Sequence, residues 1–259
     1  MSTSTTTEAA RSASAAGGRA LLRCAGLRVG YREAILPPID VTIAAGELLV
    51  VIGRNGSGKT TWFKTVLGLI PPIAGRVERL KPSLRLSYVP QRSVYDDLYP
   101  LLARDVVAMG VERRWSFLVP RFREPPAVRH ALADAGAADL ADRPFRQLSE
   151  GQKQRVLLAR LAASKPDLAL LDEPTAAMDV VAERDAFQHL DHLRREHGVA
   201  IVVVSHFIGL AREFADRALF LERDTQTVVV GKPDEVLASH EFRRSFGDLE
   251  EAVEVSRDG

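Results

Sequence analysis

Apolar residues along this chain come in short runs of two kinds, and each kind predicts a different strand. "ALLRCAGLRVGY" (20–31) and "IDVTI" (39–43) alternate or cluster apolar positions between the turn signals "PP" and "AAG", as strands do. "ELLVVIG" (47–53) is apolar without alternation and runs into Gly-rich sequence, which predicts a strand buried on both faces. A helix is expected over 59–67, stopped by Gly68 and by Pro71 and Pro72. "RLSYV" (85–89), "LALLD" (168–172), "AIVVVS" (200–205) and "RALFL" (217–221) are further strand candidates. Helical stretches near 180–196 and 206–214 lie between them. Strands alternating with helices point to the α/β class with a mostly parallel sheet.

The middle of the chain, about 92–163, reads differently. It lacks strand runs and predicts helices near 101–110, 127–136 and 150–163, joined by "ERRWSFLVPRFREPP". This is a helical insertion into the α/β core rather than an independent domain. Residues 1–19 read as a disordered Ser/Thr/Ala-rich tail, 20–239 as one domain, and 240–259 as an amphipathic or frayed acidic tail. No internal repeat is visible.

Composition narrows the classes. A chain of 259 residues is one large domain or two small ones, with ample length for a core. A net charge of +1 offers no global electrostatic case for nucleic acid or an anionic membrane surface. The single cysteine, Cys24, excludes an intramolecular disulfide, fits a reducing compartment, and reads as an inert half-buried strand residue. The most apolar runs, "LLVVIG" and "VAIVVVSHFIGL", fall short of the roughly 18–20 residues that cross a bilayer. The N-terminus lacks the apolar segment of a secretory signal. The six His residues form no ligand cluster, and "HLDHLRREH" reads as a helix surface.

"GRNGSGKTT" (53–61) carries the first chemistry. It matches G-x-x-x-x-G-K-[ST] between a buried strand and a helix, the context this phosphate-binding pattern requires. Gly53, Gly56 and Gly58 let the backbone curl so that successive N–H groups aim at phosphate oxygens, and the helix N-terminus adds positive potential. Arg54, Asn55, Ser57 and Thr61 complete the loop; Lys59 is placed to reach the β and γ phosphates, and the Thr60 hydroxyl to ligate Mg²⁺. "LALLDEP" (168–174) delivers Asp172 to the C-terminal edge of a strand, where ligands of parallel sheets bind and where it can hold Mg²⁺ through water. Glu173 is placed as a general base, a role typically worth about 10²–10⁴ in rate. Taken alone, "DE" after a strand is also a common solvated turn. His206, past the end of "VVVSH", is either structural or a γ-phosphate contact. Gln91, after "YVP", is either a ligand to Mg²⁺ or water or a backbone partner.

Taken together, "GRNGSGKTT", "YVPQR", "LSEGQKQR", "LALLDEP", "AAMD" and "VVVSH" resemble, in order and spacing, the ATPase subunits of ABC transporters, over residues 21–237. The resemblance implies a P-loop NTPase fold: a RecA-like core sheet, an N-terminal antiparallel β subdomain and an inserted α-helical subdomain. It implies ATP and Mg²⁺ as ligands, with Lys59, Gln91, Glu173 and His206 in catalytic roles and Thr60, Gln91 and Asp172 around Mg²⁺. It also implies a head-to-tail homodimer in which "LSEGQKQR" faces the nucleotide of the other subunit. Ser149, Gly151, Gln152 and the helix N-terminus would then clamp a γ-phosphate held by the partner's Lys59. Asp179 would sit at the same interface, and Tyr31 would stack on adenine; without the resemblance Tyr31 is an ordinary turn tyrosine.

One position departs from the family pattern. Glu150 stands where a second glycine is usual in the signature, and is expected to point outward with activity retained. The Trp62-Phe63 pair is expected to pack in the core. "YVPQRSVYDDLYPLLARDVVAMG" resembles the corresponding region of ATPases serving manganese and zinc importers, with iron-siderophore or cobalamin importers as the alternative. A soluble ABC ATPase outside transport, or a regulatory module that does not hydrolyse, are the other classes. The implied partners are membrane-spanning permease subunits and, indirectly, an extracytoplasmic solute-binding protein, with no nucleic acid, at the cytoplasmic face of the inner membrane. "RSVYDDLYP" and "RRWSFLV" are the candidate docking groove, with Trp115, Phe117 and Phe122 either there or in the helical core.

Overall fold

The computed structural model describes residues 18–90, 101–111, 126–174 and 180–247. Three strands, β1 (Ala20–Arg28), β2 (Ile39–Ala44) and β4 (Ala74–Arg79), form an antiparallel sheet in the order β2-β1-β4. The second sheet contains β3 (Leu48–Ile52), β5 (Leu86–Val89), β6 (Leu168–Leu171), β7 (Ala200–Val204), β8 (Arg217–Glu222) and β9 (Thr227–Gly231). Its order is β5-β6-β7-β3-β8-β9, with every pairing parallel except β8–β9. Helix α1 (Lys59–Leu67) follows β3 directly. Helices α2 (Ala103–Val111), α3 (Pro126–Asp134) and α4 (Glu150–Ala163) form the insertion between β5 and β6. Helices α5 (Val180–His197) and α6 (Ile208–Phe214) flank β7 in sequence, and α7 (Pro233–Ala238) and α8 (His240–Phe246) follow β9.

The continuous apolar run of β3 is explained by its place at the centre of that sheet. Leu48, Val50 and Ile52 pack into a cluster that holds the inserted helices, while Leu49 and Val51 pack into another holding α1 and the antiparallel sheet. A strand covered on both faces has no polar side to alternate with. Trp62 and Phe63 on α1 are fully buried in the second cluster, their rings 5.5 Å apart, and so pack in the core as expected.

Three sequence expectations change. Cys24 is fully buried on β1 rather than half-buried, and burial pushes its thiol up to about 12. Strands β4 and β9 are not among the expected strands, although the β-branched run Thr227–Val230 carries a strand signal; β4 is a mostly exposed edge held to β1 by backbone pairing. The C-terminal tail expected from residue 240 instead begins as helix α8, because Phe242 and Phe246 stack 4.8 Å apart and Phe242 meets Phe220 of β8 at 5.4 Å. Among the described residues no helix is long and apolar enough to cross a membrane.

Candidate nucleotide site

Parallel pairing of β6 with β7, and of β7 with β3, brings three strand ends to one edge. Val51 lies beside Val204, and Leu171 beside Val203, so Gly53, Asp172 and Ser205–His206 leave the sheet as neighbours. The loop at 53–58 needs its glycines for separate reasons. A Cβ at Gly53 would lie 2.3 Å from the Leu221 carbonyl oxygen, so nothing larger fits. Gly56 and Gly58 hold φ of 82° and 101°, in the left-handed region that side chains disfavour. Gly58 caps α1 without a side chain, and the first turn of α1 carries no acid, so its N–H groups are left for an anion.

Lys59 is buried beneath this loop. Its Nζ donates to the carbonyls of Gly53 (2.7 Å) and Arg54 (3.0 Å) and lies 3.8 Å from Glu173 Oε1. Burial lowers its pKa, a pull opposed by the charges of Glu173, Asp172 and Glu222. Ser57 Oγ is buried with no hydrogen-bond partner among the described residues. Arg54, Asn55 and Gly56 are exposed around the mouth of the loop, while Thr61 is half-buried on α1.

Asp172 is 2% exposed, and burial raises its pKa; a hydrogen bond with the Thr60 side chain works against that, and the charge of Glu173 adds to it. Tyr88 on β5 donates to Asp172 Oδ2 at 3.4 Å, and burial pushes its hydroxyl up to about 12. Glu173 takes φ 48°, unusual for a residue with a side chain, and strain of this kind concentrates at functional sites. Its Oε1 lies 2.8 Å from His206 Nε2, which pairs the expected base with the expected γ-phosphate contact.

Lys59, Thr60, Asp172, Glu173 and His206 are therefore brought together. Tyr88 was missed from sequence; its signal was a polar-tipped aromatic near the end of a strand on the same edge. Tyr31 is 67% exposed, with the Lys64 Nζ 3.5 Å from its hydroxyl. The signature residues are engaged locally. Ser149 caps α4, its hydroxyl accepting from the Gln152 N–H (3.3 Å) while its own N–H donates to Gln152 Oε1 (3.1 Å). Within one chain, Ser149 and Gln152 thus satisfy each other through a capping box. Gly151 lies in the first turn, partly exposed. Glu150 points outward and pairs with Lys153 at 2.9 Å. Gln91, Asp179, Trp115, Phe117, Phe122 and the expected docking segments lie outside the described residues.

A cleft of about 720 Å³ lies at the opposite sheet edge, between α3, the end of α4 and the end of α5, where the charged lining includes Lys81, Arg85 and Asp167.

A family model described as ABC transporter matches residues 36–176. The chain belongs to the ABC transporter family. It is 38% identical over 216 residues to the zinc import ATP-binding protein ZnuC of Cereibacter sphaeroides, covering 83% of this chain and 84% of that one. It is 35% identical over 237 residues to ZnuC of Pseudomonas entomophila, covering 91% and 87%. Among solved structures, an inward-facing metal-chelate type ABC transporter superposes with a TM-score of 0.76 at 28% identity, over 88% of this chain and 89% of that one. The architecture is thus the ABC ATPase fold, and the protein is an ATPase coupled to transport.

Proposed function

We propose that this chain is the ATP-hydrolysing subunit of a zinc importer, acting as a head-to-tail homodimer on separate membrane-spanning subunits. The observation that carries the hydrolytic reading is the meeting of the buried Lys59 with Glu173 and the exposed His206, Glu173 lying 3.8 Å from the ammonium and 2.8 Å from the imidazole. The zinc assignment is supported by the ZnuC relatives. A chelated metal is the second reading, favoured by the likeness to the metal-chelate type transporter. In either case the extracytoplasmic step would fall to a solute-binding protein, and this chain would work from the cytoplasmic face.

The donors at Asp172 and Thr60 fit Mg²⁺. They are hard oxygens already joined by a hydrogen bond from the Thr60 hydroxyl to the carboxylate, and burial with Glu173 alongside favours a cation there. Among the described residues no group of His, Cys, Asp and Glu could hold a metal by itself, which suits an ion that arrives with phosphate oxygens. Asp172, Thr60 and Gln91 would hold it, and once bound it would neutralise phosphate charge. Lys59 would exchange its loop carbonyls for the β and γ phosphates, a stronger charge-assisted pairing. Glu173 would take a proton from the attacking water, and His206, released from Glu173, would hold the γ-phosphate. The partner's Ser149 and Gly151 N–H would close the site, with the capping-box bonds exchanged for phosphate oxygens. Tyr31 would stack on the adenine, and Asp179 would face the partner's phosphate loop.

The test is Glu173→Gln. Purified protein should lose turnover by about 10²–10⁴ and accumulate as an ATP-bound dimer in light scattering. Cells carrying only that variant should show depleted zinc with unchanged iron and cobalt. Parent-like hydrolysis would sink the catalytic assignment; unchanged zinc with lowered manganese, iron or cobalt would replace the cargo.

A further inference from the structure

The mechanism above leaves a buried carboxylate unused. Glu183, in the first turn of α5, is fully buried, and its Oε1 accepts a hydrogen bond from Ser205 Oγ at 3.1 Å. The same Ser205 oxygen accepts from the Phe207 N–H at 3.0 Å. Ser205 is 4% exposed, and its own N–H reaches back to the Val51 carbonyl at 3.4 Å, at the end of the strand that enters the phosphate loop. One hydroxyl therefore ties together the residues on either side of His206, and a carboxylate from another element anchors that hydroxyl.

We propose that Glu183 is a positioning residue, which acts through the Ser205 hydroxyl to hold the backbone around His206 and so sets where the imidazole meets Glu173. The inference rests on the hydrolytic role proposed for Glu173 and His206. The physical case is one of leverage. His206 is 41% exposed on its side chain and makes its described contact at the ring tip, 2.8 Å from Glu173, so little besides its backbone fixes it. A hydroxyl is required at 205 because it must donate and accept at once. A carboxylate at 183 suits the start of a helix, where negative charge is favoured. Helix α5 begins at Val180, directly after the segment that the family resemblance assigns to the dimer interface.

The experiment compares Ser205→Ala, Ser205→Thr and Glu183→Gln with the parent in the full chain, reading kcat, ATP KM, melting temperature and the ¹⁵N resonances of the His206 ring, assigned with His206→Asn. Ser205→Ala should lower kcat by about 10- to 100-fold with KM within about twofold, since misplacing a reacting group by an ångström has effects of that size. Its His206 Nε2 signal should move towards that of a free, exposed imidazole. Ser205→Thr and Glu183→Gln retain a hydroxyl and an acceptor, and should keep both the rate and the ring signal near the parent's. Glu183→Ala, made alongside them, removes the acceptor and should follow Ser205→Ala; a parent-like rate and ring signal in Glu183→Ala would overturn the role of Glu183. Parent-like kcat and ring signal in Ser205→Ala would overturn the proposal. So would a rate that falls equally in Ser205→Ala and Ser205→Thr, because the hydroxyl would then be irrelevant. If the parent's rate proves indifferent to Glu173→Gln, the hydrolytic reading fails separately, and the ring signal alone decides whether Glu183 and Ser205 place His206.

Discussion

Strand β6 has an aspartate at each end, and the protein treats them oppositely. Asp167 lies just before Leu168, half-buried, and accepts from the Arg85 N–H (2.9 Å), the Arg85 guanidinium (3.2 Å) and Lys81 Nζ (2.9 Å). Burial pulls its pKa upward, but these donors outweigh burial and hold the carboxyl well below the usual range. Asp172 lies just after Leu171, more deeply buried, with Thr60 and Tyr88 hydroxyls and a neighbouring carboxylate. Burial raises its pKa and the charge of Glu173 adds to this, while hydrogen bonds from Thr60 and Tyr88 and the charge of Lys59 work against it without reversing it. Five residues apart, one carboxylate is compensated within the chain and the other is not. The compensated one fits a role in stability; the uncompensated one fits the cation-holding role proposed for it, since a buried charge without its counter-charge is costly unless a ligand completes it.

This contrast can be broken by exchanging a single atom at either end. Asp172→Asn should have the largest effect: turnover should fall on the order of 10²–10⁴-fold, because the group expected to hold the cation is gone. Its melting temperature should hold or rise, since an uncompensated buried charge has been removed; a large loss of stability with normal turnover would reverse the assignment. Asp167→Asn should do the opposite, lowering stability by about 1 kcal/mol, or roughly 2–4 °C in melting temperature, with kcat within about twofold. Acid sharpens the point. The folded carboxyl of Asp167 is held below its unfolded value of about 3.9, so its contribution is complete above that pH and is lost as pH falls through the folded value. The stability gap between parent and Asp167→Asn, from denaturant titrations, should therefore be constant at neutral pH and shrink only below about pH 4. A gap that grows in acid would refute it. The smallest effect is expected from Tyr88→Phe, which removes one long hydrogen bond to Asp172. The Mg²⁺ concentration for half-maximal activity should shift by about two- to threefold, with ATP KM unchanged.

Legibility followed sequence distance. The phosphate loop was readable because Gly53, Gly56, Gly58 and Lys59 do their work within one turn of backbone, and α1 begins and ends at the residues that its glycines predict. Asp172 and Glu173 were readable because an apolar strand announces its own end. Tyr88 was not, because it meets Asp172 across 84 residues, through the pairing of β5 with β6. The Ser149–Gln152 capping box was visible as S-x-x-Q, but the same atoms suit either a helix cap or a phosphate, and in a single chain the cap wins. Phe242 and Phe246, spaced by one helical turn, mark the apolar face of a stretch that reads as an amphipathic or frayed acidic tail; their anchor, Phe220, lies on β8.

The sequence by itself determined the chemistry on offer: a phosphate loop, an ammonium, adjacent carboxylates, an imidazole, and the alternation of strands and helices that makes the protein α/β. These depend on neighbours in the chain, which sequence order specifies. Only the tertiary structure decided which groups meet and which charges are left uncompensated. The sheet order β5-β6-β7-β3-β8-β9 is not the chain order, so the partners of Asp172, Asp167 and His206 come from strands and helices far away in sequence. Burial and charge act through space, and the sheet creates that space only when it assembles.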